Sequence, residues 1–202
     1  MTLVGVSKTH PLETVAAALE AGLVKLGENR AQEFVPKAAG ATAAGLQPRW
    51  HFIGHLQRNK VRQVSPHLSV LHSVDSERLI EEITQRWESG IRPASRERLR
   101  CYVEVNVAGE AQKHGRESDG LVSLLEAAAA SEAIEVAGLM TVAPRVSKPE
   151  DAHPVFRALR ELAAAHGVSG LSIGMTEDYG VAIEEGATLV RVGRAIFGER
   201  RS

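Results

Sequence analysis

The sequence predicts an α/β fold in which eight parallel strands close into a (β/α)8 barrel of the TIM type. Short runs rich in β-branched residues alternate with Ala-, Leu- and Glu-rich stretches of helical period, which is typical of repeated βα units. Eight such runs are present, with helical stretches in the seven intervals between them. The length of 202 residues also lies near the lower size limit of such barrels, which is about 200 residues.

The predicted strands follow one another at short intervals. They cover residues 3–8, 23–29, 50–54, 70–74, 101–107, 136–142, 171–175 and 189–192. Helices are clearest at 11–21, 76–87 and 149–166, with Thr9, Asp75 and Ser147 as the expected N-caps. Eight strands with seven helices match a closed barrel that lacks one helix. An open, doubly wound sheet is the alternative to the closed barrel. Because no linker interrupts the pattern, residues 1–202 are expected to form one domain.

Charge and composition exclude several classes of function. The 24 Lys and Arg residues balance 25 Asp and Glu residues, so no positive field is expected to recruit nucleic acid or an anionic membrane. No apolar run reaches the ~18 residues of a membrane-spanning helix. The single Cys101 cannot form an internal disulfide and is expected to be a buried core residue. Without a recognisable secretory signal, the expected location is cytoplasmic and the expected partners are small molecules.

Polar residues at the predicted strand ends indicate a binding site, because the functional groups of such barrels lie at the carboxyl ends of the strands. Lys8 ends the first strand, where partial burial would favour a neutral amine suited to Schiff-base formation. A solvated surface lysine is the alternative interpretation. The other polar or loop residues at strand ends are Glu28, Asn29, His51, Asn106, Met175, Thr176 and Arg191.

Gly174 and Gly193 lie in the seventh and eighth strand segments, where barrels often bind phosphate through backbone N–H groups. Glycine lets the backbone approach an anion closely, although the two glycines could instead serve only to relieve crowding in the barrel. Arg191 precedes Gly193 by two residues and is therefore expected on the same face. That face would hold a guanidinium and a phosphate together.

Eight histidines raise the question of a metal site, with His51 and His55 as the obvious pair. Their i, i+4 spacing suits a metal bound on a helix, whereas the segment that holds them has the pattern of a strand. The sequence therefore predicts no metal site.

Five ordered blocks together resemble the pyridoxal phosphate homeostasis proteins, small barrel proteins related to the N-terminal domain of bacterial alanine racemase. The blocks are residues 6–9 (VSKT), 27–33 (GENRAQE), 50–60 (WHFIGHLQRNK), 138–141 (GLMT), and 172–178 (SIGMTED) continued by 182–198 (AIEEGATLVRVGRAIFG). They cover nearly the whole chain.

The resemblance implies that the chain binds pyridoxal 5′-phosphate (PLP) as a Schiff base on Lys8, with Arg191 facing the pyridine nitrogen. The implied phosphate contacts are Ser172, Thr176 and the backbone around Gly193 and Arg194. The other implied cofactor contacts are Asn29, His51, Met140, Gly174 and Met175. Lys113 would be a second lysine near the site.

An arginine at the pyridine nitrogen discourages ring protonation and so weakens PLP as an electron sink. The resemblance therefore implies a carrier in intracellular PLP homeostasis rather than an enzyme, monomeric, with PLP-dependent apoenzymes as recipients. A PLP-dependent amino-acid racemase is the alternative. It would need a second acid/base group, and neither Tyr102 nor Tyr179 has the sequence context for that role. A phosphate-binding barrel without aldehyde chemistry is a third hypothesis.

Two features depart from the family pattern. Family members begin with an additional helix, whereas Met1 here lies two residues from the first predicted strand. Either the chain begins upstream, or the barrel is open and exposes an apolar flank that favours self-association. Arg194 stands where small hydroxyl residues are common, so that one phosphate contact is expected to come from backbone N–H alone.

Overall fold

The computed structural model describes residues 1–93, 97–109, 114–144 and 146–199. Strands and helices alternate along this chain. The strands are β1 (Thr2–Val6), β2 (Lys25–Glu28), β3 (Arg49–Phe52), β4 (Val70–Val74), β5 (Leu99–Glu104), β6 (Ile134–Met140), β7 (Leu171–Ser172) and β8 (Leu189–Val192). The α-helices are α1 (Leu12–Glu20), α2 (Ala31–Ala43), α3 (Val61–Val64), α4 (Glu77–Glu88), α5 (Leu121–Ala130), α6 (His153–Ala165), α7 (Tyr179–Glu184) and α8 (Arg194–Phe197).

β1 closes the barrel by pairing in parallel with both β2 and β8. In the pairing with β8, Val4 lies opposite Arg191 and Gly5 lies opposite Val192. The predicted (β/α)8 barrel is thereby confirmed, and the open, doubly wound sheet is excluded. The open barrel, one of two alternatives from the sequence, is also excluded, because β1 pairs with β8 and the first and last strands close the sheet.

Strands β4 and β8 have the predicted bounds, whereas the other strands are shifted or shorter. β1 ends at Val6, so that Lys8 lies in the turn after the strand rather than within it. Asn106 follows β5 instead of belonging to it, because that strand ends at Glu104. These shifts leave the polar residues at the carboxyl ends of the strands, where the prediction had placed them.

The expected N-caps Thr9, Asp75 and Ser147 do not cap their helices, and α1, α4 and α6 have no side-chain cap hydrogen bond. Thr9 instead lies in the turn after β1, where its backbone N–H donates to the Glu33 carboxylate at 3.2 Å. The Asp75 carboxylate contacts the His55 ring at 3.0 Å. In both cases a tertiary contact replaces the local cap.

Apolar side chains form two cores. The larger one lies between the barrel wall and the helices and includes Phe34, Leu71 and Phe156. The smaller one fills part of the barrel interior, with members from five strands: Val4, Val70, Tyr102, Met140 and Leu189. Side chains alternate across a strand, so residues two positions from these members also point inwards. His72 and Arg191 therefore share the interior with this small core.

The outer face of β1 is only partly covered. α8 is a single turn, and its Phe197 ring lies 3.1 Å from the position that a Cβ of Gly5 would occupy. Leu3 and Ile196 remain 43% and 39% exposed, so the expected apolar exposure near the first strand is present although the barrel is closed. Self-association through it stays a prediction.

None of the described helices is long and apolar enough to cross a bilayer. Cys101 is fully buried, and burial raises the pKa of its thiol. The expectation that this cysteine is a core residue is confirmed.

Candidate functional site

The turn after β1 holds Lys8 at the carboxyl end of the barrel. Lys8 lies two residues beyond Val6, the last residue of the strand. The chain reverses directly afterwards, since the His10 N–H donates to the Ser7 carbonyl at 3.1 Å. Thr9 has φ 67°, a left-handed conformation that a β-branched residue rarely adopts. The turn around the half-buried Lys8 is thus tightly constrained.

A buried ion pair anchors this turn from the outer side of the barrel. Lys37 of α2 donates to the Ser7 carbonyl at 2.9 Å and to Glu28 Oε1 at 2.5 Å. The Ser7 hydroxyl donates to the same carboxylate oxygen at 2.8 Å. Burial raises the pKa of Glu28, and the Lys37 ammonium opposes this rise. The pair therefore connects α2, β1 and β2 immediately before Lys8.

The loops after β7 and β8 place two polar groups side by side. The Gly193 N–H points at Thr176 Oγ1, with 3.4 Å between nitrogen and oxygen. A Cβ at Gly193 would lie 3.3 Å from the Val6 carbonyl oxygen, so glycine permits a close approach between the ends of β8 and β1. The amide and the hydroxyl consequently lie next to the Lys8 turn, and both can donate to an anion.

Gly174 and Met175 shape the loop after β7. Gly174 has φ 87°, and a Cβ there would lie 2.6 Å from a side-chain carbon of α7, so only glycine fits. The Met175 N–H donates to the Asp178 carboxylate at 2.6 Å. The exposed Arg194 forms an ion pair with Glu177, which connects the loops after β7 and β8.

Arg191 lies inside the barrel and is only 3% exposed. Its Nη1 donates to the carbonyl and hydroxyl oxygens of Ser172, each at 2.6 Å, and its Nη2 donates to the Thr141 carbonyl at 3.0 Å. Burial lowers the pKa of Arg191 to about 10, so the guanidinium stays charged at neutral pH. These hydrogen bonds hold it between β8, β7 and the end of β6.

Two buried histidines extend this network. His72 Nδ1 lies 2.8 Å from Ser172 Oγ, and His72 Nε2 lies 2.8 Å from His51 Nδ1. The His72 ring also stacks on Tyr102, with 4.8 Å between ring centroids. Burial, assisted by His51 and Arg191, holds the pKa of His72 well below its ordinary value, so this ring is neutral. A neutral ring can accept from Ser172 at Nδ1 and donate to His51 from Nε2.

Glu104 ends β5 and is buried near this network. Burial and the nearby Asp75 carboxylate raise the pKa of Glu104 to about 7, while the Arg191 charge opposes the rise. Arg191 therefore keeps its proton near neutral pH, whereas the buried Glu104 carboxyl group is half-protonated there.

The remaining predicted residues lie in different surroundings. Asn29 is half-buried after β2 and lines an open cleft together with Gln57 and Lys60. Met140 is buried in the inner core. Lys113 lies outside the residues that the structure describes. The structure thus brings the end of β1, two residues before Lys8, close to Gly193 and the neighbouring Thr176, but each predicted contact with a cofactor stays a prediction.

Comparison with known proteins identifies the family. Residues 1–201 match the family defined as alanine racemase, N-terminal domain. A pyridoxal phosphate homeostasis protein from Aquifex aeolicus is 41% identical over 210 residues, covering 98% of this chain and 87% of the relative. The chain belongs to the pyridoxal phosphate homeostasis protein family. A second family member, from Pseudomonas aeruginosa, is 39% identical and covers 98% of this chain and 84% of its own length.

A solved structure supports the homeostasis-protein fold independently. PipY from Synechococcus elongatus, solved with PLP bound, superposes with a TM-score of 0.87 at 32% identity, covering 98% of this chain and 92% of PipY. The well-matched relatives are named as homeostasis proteins and not as enzymes, which agrees with the expectation of a non-enzymatic protein.

Sequence reasoning missed three residues that shape the site: Lys37, His72 and Glu104. Glu28 was among the polar residues at the end of the second predicted strand, but nothing in the pattern indicated its partner on α2. The signal for His72 was present, because it is a polar residue at an inward position of an otherwise apolar strand. The raised pKa of Glu104 depends on groups from distant strands and could not be read from the sequence.

The buried ion pair should dominate the stability of the turn. Replacing Lys37 by Met leaves the Glu28 carboxylate buried without its cationic partner, and removal of one partner from a buried pair typically costs about 3 kcal/mol. We expect a loss of this size in the free energy of unfolding at neutral pH, measured by urea denaturation. The double variant Glu28→Gln/Lys37→Met should recover part of the loss, because the unpaired charge is gone.

Lys25→Met is the matched control, since Lys25 makes a single hydrogen bond to Thr2 at 3.3 Å and has no ion pair within the described residues. It should change the free energy of unfolding little. Equal losses in Lys25→Met and Lys37→Met would show that the ion pair does not anchor the turn.

The pKa of Glu104 predicts a specific pH dependence of stability. Between its ordinary value of 4.5 and the raised value of about 7, the folded protein keeps a proton that the unfolded chain releases. The free energy of unfolding should therefore fall as pH rises through this window, by about 3 kcal/mol more in the wild type than in Glu104→Gln. Chemical denaturation of both proteins between about pH 4 and about pH 8 measures the difference. Glu135→Gln, at a half-exposed carboxylate, is the control. If the difference in free energy of unfolding between wild type and Glu104→Gln did not change with pH, the raised pKa would be contradicted.

Proposed function

We propose that this protein holds PLP as a Schiff base on Lys8 and passes it to enzymes that need it, without sustained catalysis of its own. One observation carries the proposal. The Lys8 turn lies beside the Gly193 N–H and the Thr176 hydroxyl, because β1 and β8 are neighbours in the closed barrel. An amine next to anion-binding donors matches the aldehyde and phosphate groups of PLP.

The residues present fit the phosphate group. Gly193 lacks the Cβ that would crowd the approach to its N–H, and Thr176 adds a hydroxyl beside it. Arg194 begins α8, and we propose that it contributes its backbone N–H while its side chain pairs with Glu177. This assignment follows the expectation that Arg194 replaces a small hydroxyl residue.

Ser172 is the least direct of the proposed phosphate contacts. Its hydroxyl oxygen accepts from Arg191 and lies within hydrogen-bond distance of His72 Nδ1. A phosphate oxygen is an acceptor, so Ser172 can serve it only by turning its O–H away from His72. We therefore propose that Ser172 acts on the cofactor mainly by holding Arg191, with its phosphate contact as the weaker alternative.

Arg191 is proposed to face the pyridine nitrogen. PLP supplies an electrophilic aldehyde, and its ring is a stronger electron sink when the ring nitrogen is protonated. The fixed positive charge of Arg191 disfavours a second positive charge nearby. Its hydrogen bonds to Ser172 and Thr141 prevent it from moving aside. A fixed Arg191 favours retention of PLP over carbanion chemistry.

The other proposed contacts are Asn29, His51, Met140, Gly174 and Met175.

The wider assignment has three further parts. We propose that residues 1–202 act as one domain, that the protein works as a monomer in the cytoplasm, and that its partners are PLP and PLP-dependent apoenzymes. The near-neutral charge of -1 supports a role without nucleic acid or membrane partners.

The carrier function predicts transfer without turnover. Protein loaded with PLP and passed through a desalting column should restore the activity of a PLP-dependent apoenzyme, while Lys8→Ala should retain no PLP and restore none. Neither protein should accumulate D-alanine from L-alanine, which chiral chromatography detects. Lys25→Ala, at a lysine on the far end of β2, is the control for loss of a surface amine and should behave as the wild type.

Two results would contradict this function. Steady formation of D-alanine by the wild type, lost in Lys8→Ala, would establish a racemase instead. Retention of PLP by Lys8→Ala at the level of the wild type would show that the covalent bond to Lys8 is not what holds the cofactor.

A further inference from the structure

We propose that His55, Asp75 and His114 form a binding site for a divalent transition-metal ion, with Zn²⁺ as the representative. The three residues come from different parts of the chain. His55 follows β3, Asp75 follows β4, and His114 lies in the segment between β5 and α5. All three therefore lie on the side of the barrel where the strands end, which is the functional side of this fold.

The distances fit an ion with few ligands. His55 Nδ1 lies 3.0 Å from Asp75 Oδ2, and one ligand atom from each of the three residues lies within 4.8 Å of the others. Zinc bonds of about 2.0–2.2 Å in tetrahedral geometry separate neighbouring ligand atoms by roughly 3.4 Å. The first pair is already close to that separation, and the third ligand needs to approach by no more than about 1.5 Å.

The orientation of the rings indicates which residue has to move. His55 and His114 stack with 4.1 Å between centroids and 10° between planes. Imidazole lone pairs lie in the ring plane, so two parallel rings cannot both point at one ion. Both histidines are exposed, and rotation of His114 about its side-chain bonds meets little steric resistance. Metal binding should therefore break the stack.

The ligand types select the class of ion. Two imidazoles and one carboxylate suit zinc and related first-row metals, whereas calcium and magnesium prefer sets made only of oxygen ligands. The Ser76 hydroxyl donates to Asp75 Oδ1 and leaves Oδ2 directed at His55. Such outer-shell hydrogen bonds commonly orient a metal-binding carboxylate.

A second histidine–carboxylate group in the chain shows what distinguishes the proposed site. His153 contacts Glu184 and Glu185, but the Glu185 carboxylate is also bound by Arg157 and Arg160. A cation would have to compete with two guanidinium groups there. In the part of the chain that the structure describes, Asp75 has no such ion pair with lysine or arginine. His153 therefore provides a matched negative control.

The test is a titration of the PLP-free, tag-free protein with Zn²⁺ against a chromophoric chelator. The wild type should bind one Zn²⁺ per chain. His55→Ala, Asp75→Ala and His114→Ala should each weaken binding by about 100-fold, since loss of an outer-shell partner alone costs about 10- to 100-fold. His153→Ala should bind as the wild type does, and circular dichroism should show that all variants are folded.

Cobalt gives a second readout that does not depend on affinity. Co²⁺ should produce visible d–d bands of a low-coordinate site in the wild type and in His153→Ala, and these bands should be absent from His114→Ala. The proposal would be overturned if the wild type bound zinc no more tightly than the His55→Ala/His114→Ala double variant. Loss of binding in His153→Ala, with retention in His114→Ala, would overturn it as well by placing the ion elsewhere. Neither outcome depends on PLP, so failure here is distinguishable from failure of the proposed function.

Discussion

The parallel pairing of β1 with β8 is the interaction on which the rest of this structure depends. It turns a row of eight strands into a closed barrel, and it places the end of the first strand beside the end of the last. Lys8 and Gly193 are far apart in sequence, and only this pairing makes them neighbours. A Cβ at Gly193 would lie only 3.3 Å from the Val6 carbonyl oxygen, so glycine favours this close approach. The strand pairing that closes the barrel therefore also brings the residues of the candidate site together.

Charged residues on both sides of the barrel wall make this arrangement rigid. On the outer side, Glu28 and Lys37 bind Ser7 and so fix the chain immediately before Lys8. On the inner side, Arg191 is held by hydrogen bonds to Ser172 and Thr141. Isolated buried charges are costly, but each of these has partners that offset the cost. The backbone before Lys8 and the guanidinium of Arg191 are therefore both fixed in place.

The sequence was sufficient to predict the fold. Eight short apolar segments that alternate with stretches of helical period indicate parallel strands without any tertiary information. The sequence also placed Lys8, Thr176, Arg191 and Gly193 at the carboxyl ends of strands, while their contacts with a cofactor stay a prediction. It failed where a tertiary contact overrides a local preference. Thr9, for example, looks like a helix cap but adopts φ 67° in the turn. Partnerships such as Glu28 with Lys37, or His55 with Asp75, join residues on separate elements, and no spacing rule links them.

The proposed Schiff base distinguishes Lys8 from the other lysines of the chain. The most direct measurement is the visible absorption spectrum of the protein mixed with PLP, before and after reduction with borohydride, followed by mass mapping of the reduced adduct. We expect a Schiff-base band that borohydride removes and a single adduct on Lys8. Absence of the band, or an adduct distributed over Lys25, Lys37 and Lys60, would contradict the proposed Schiff base.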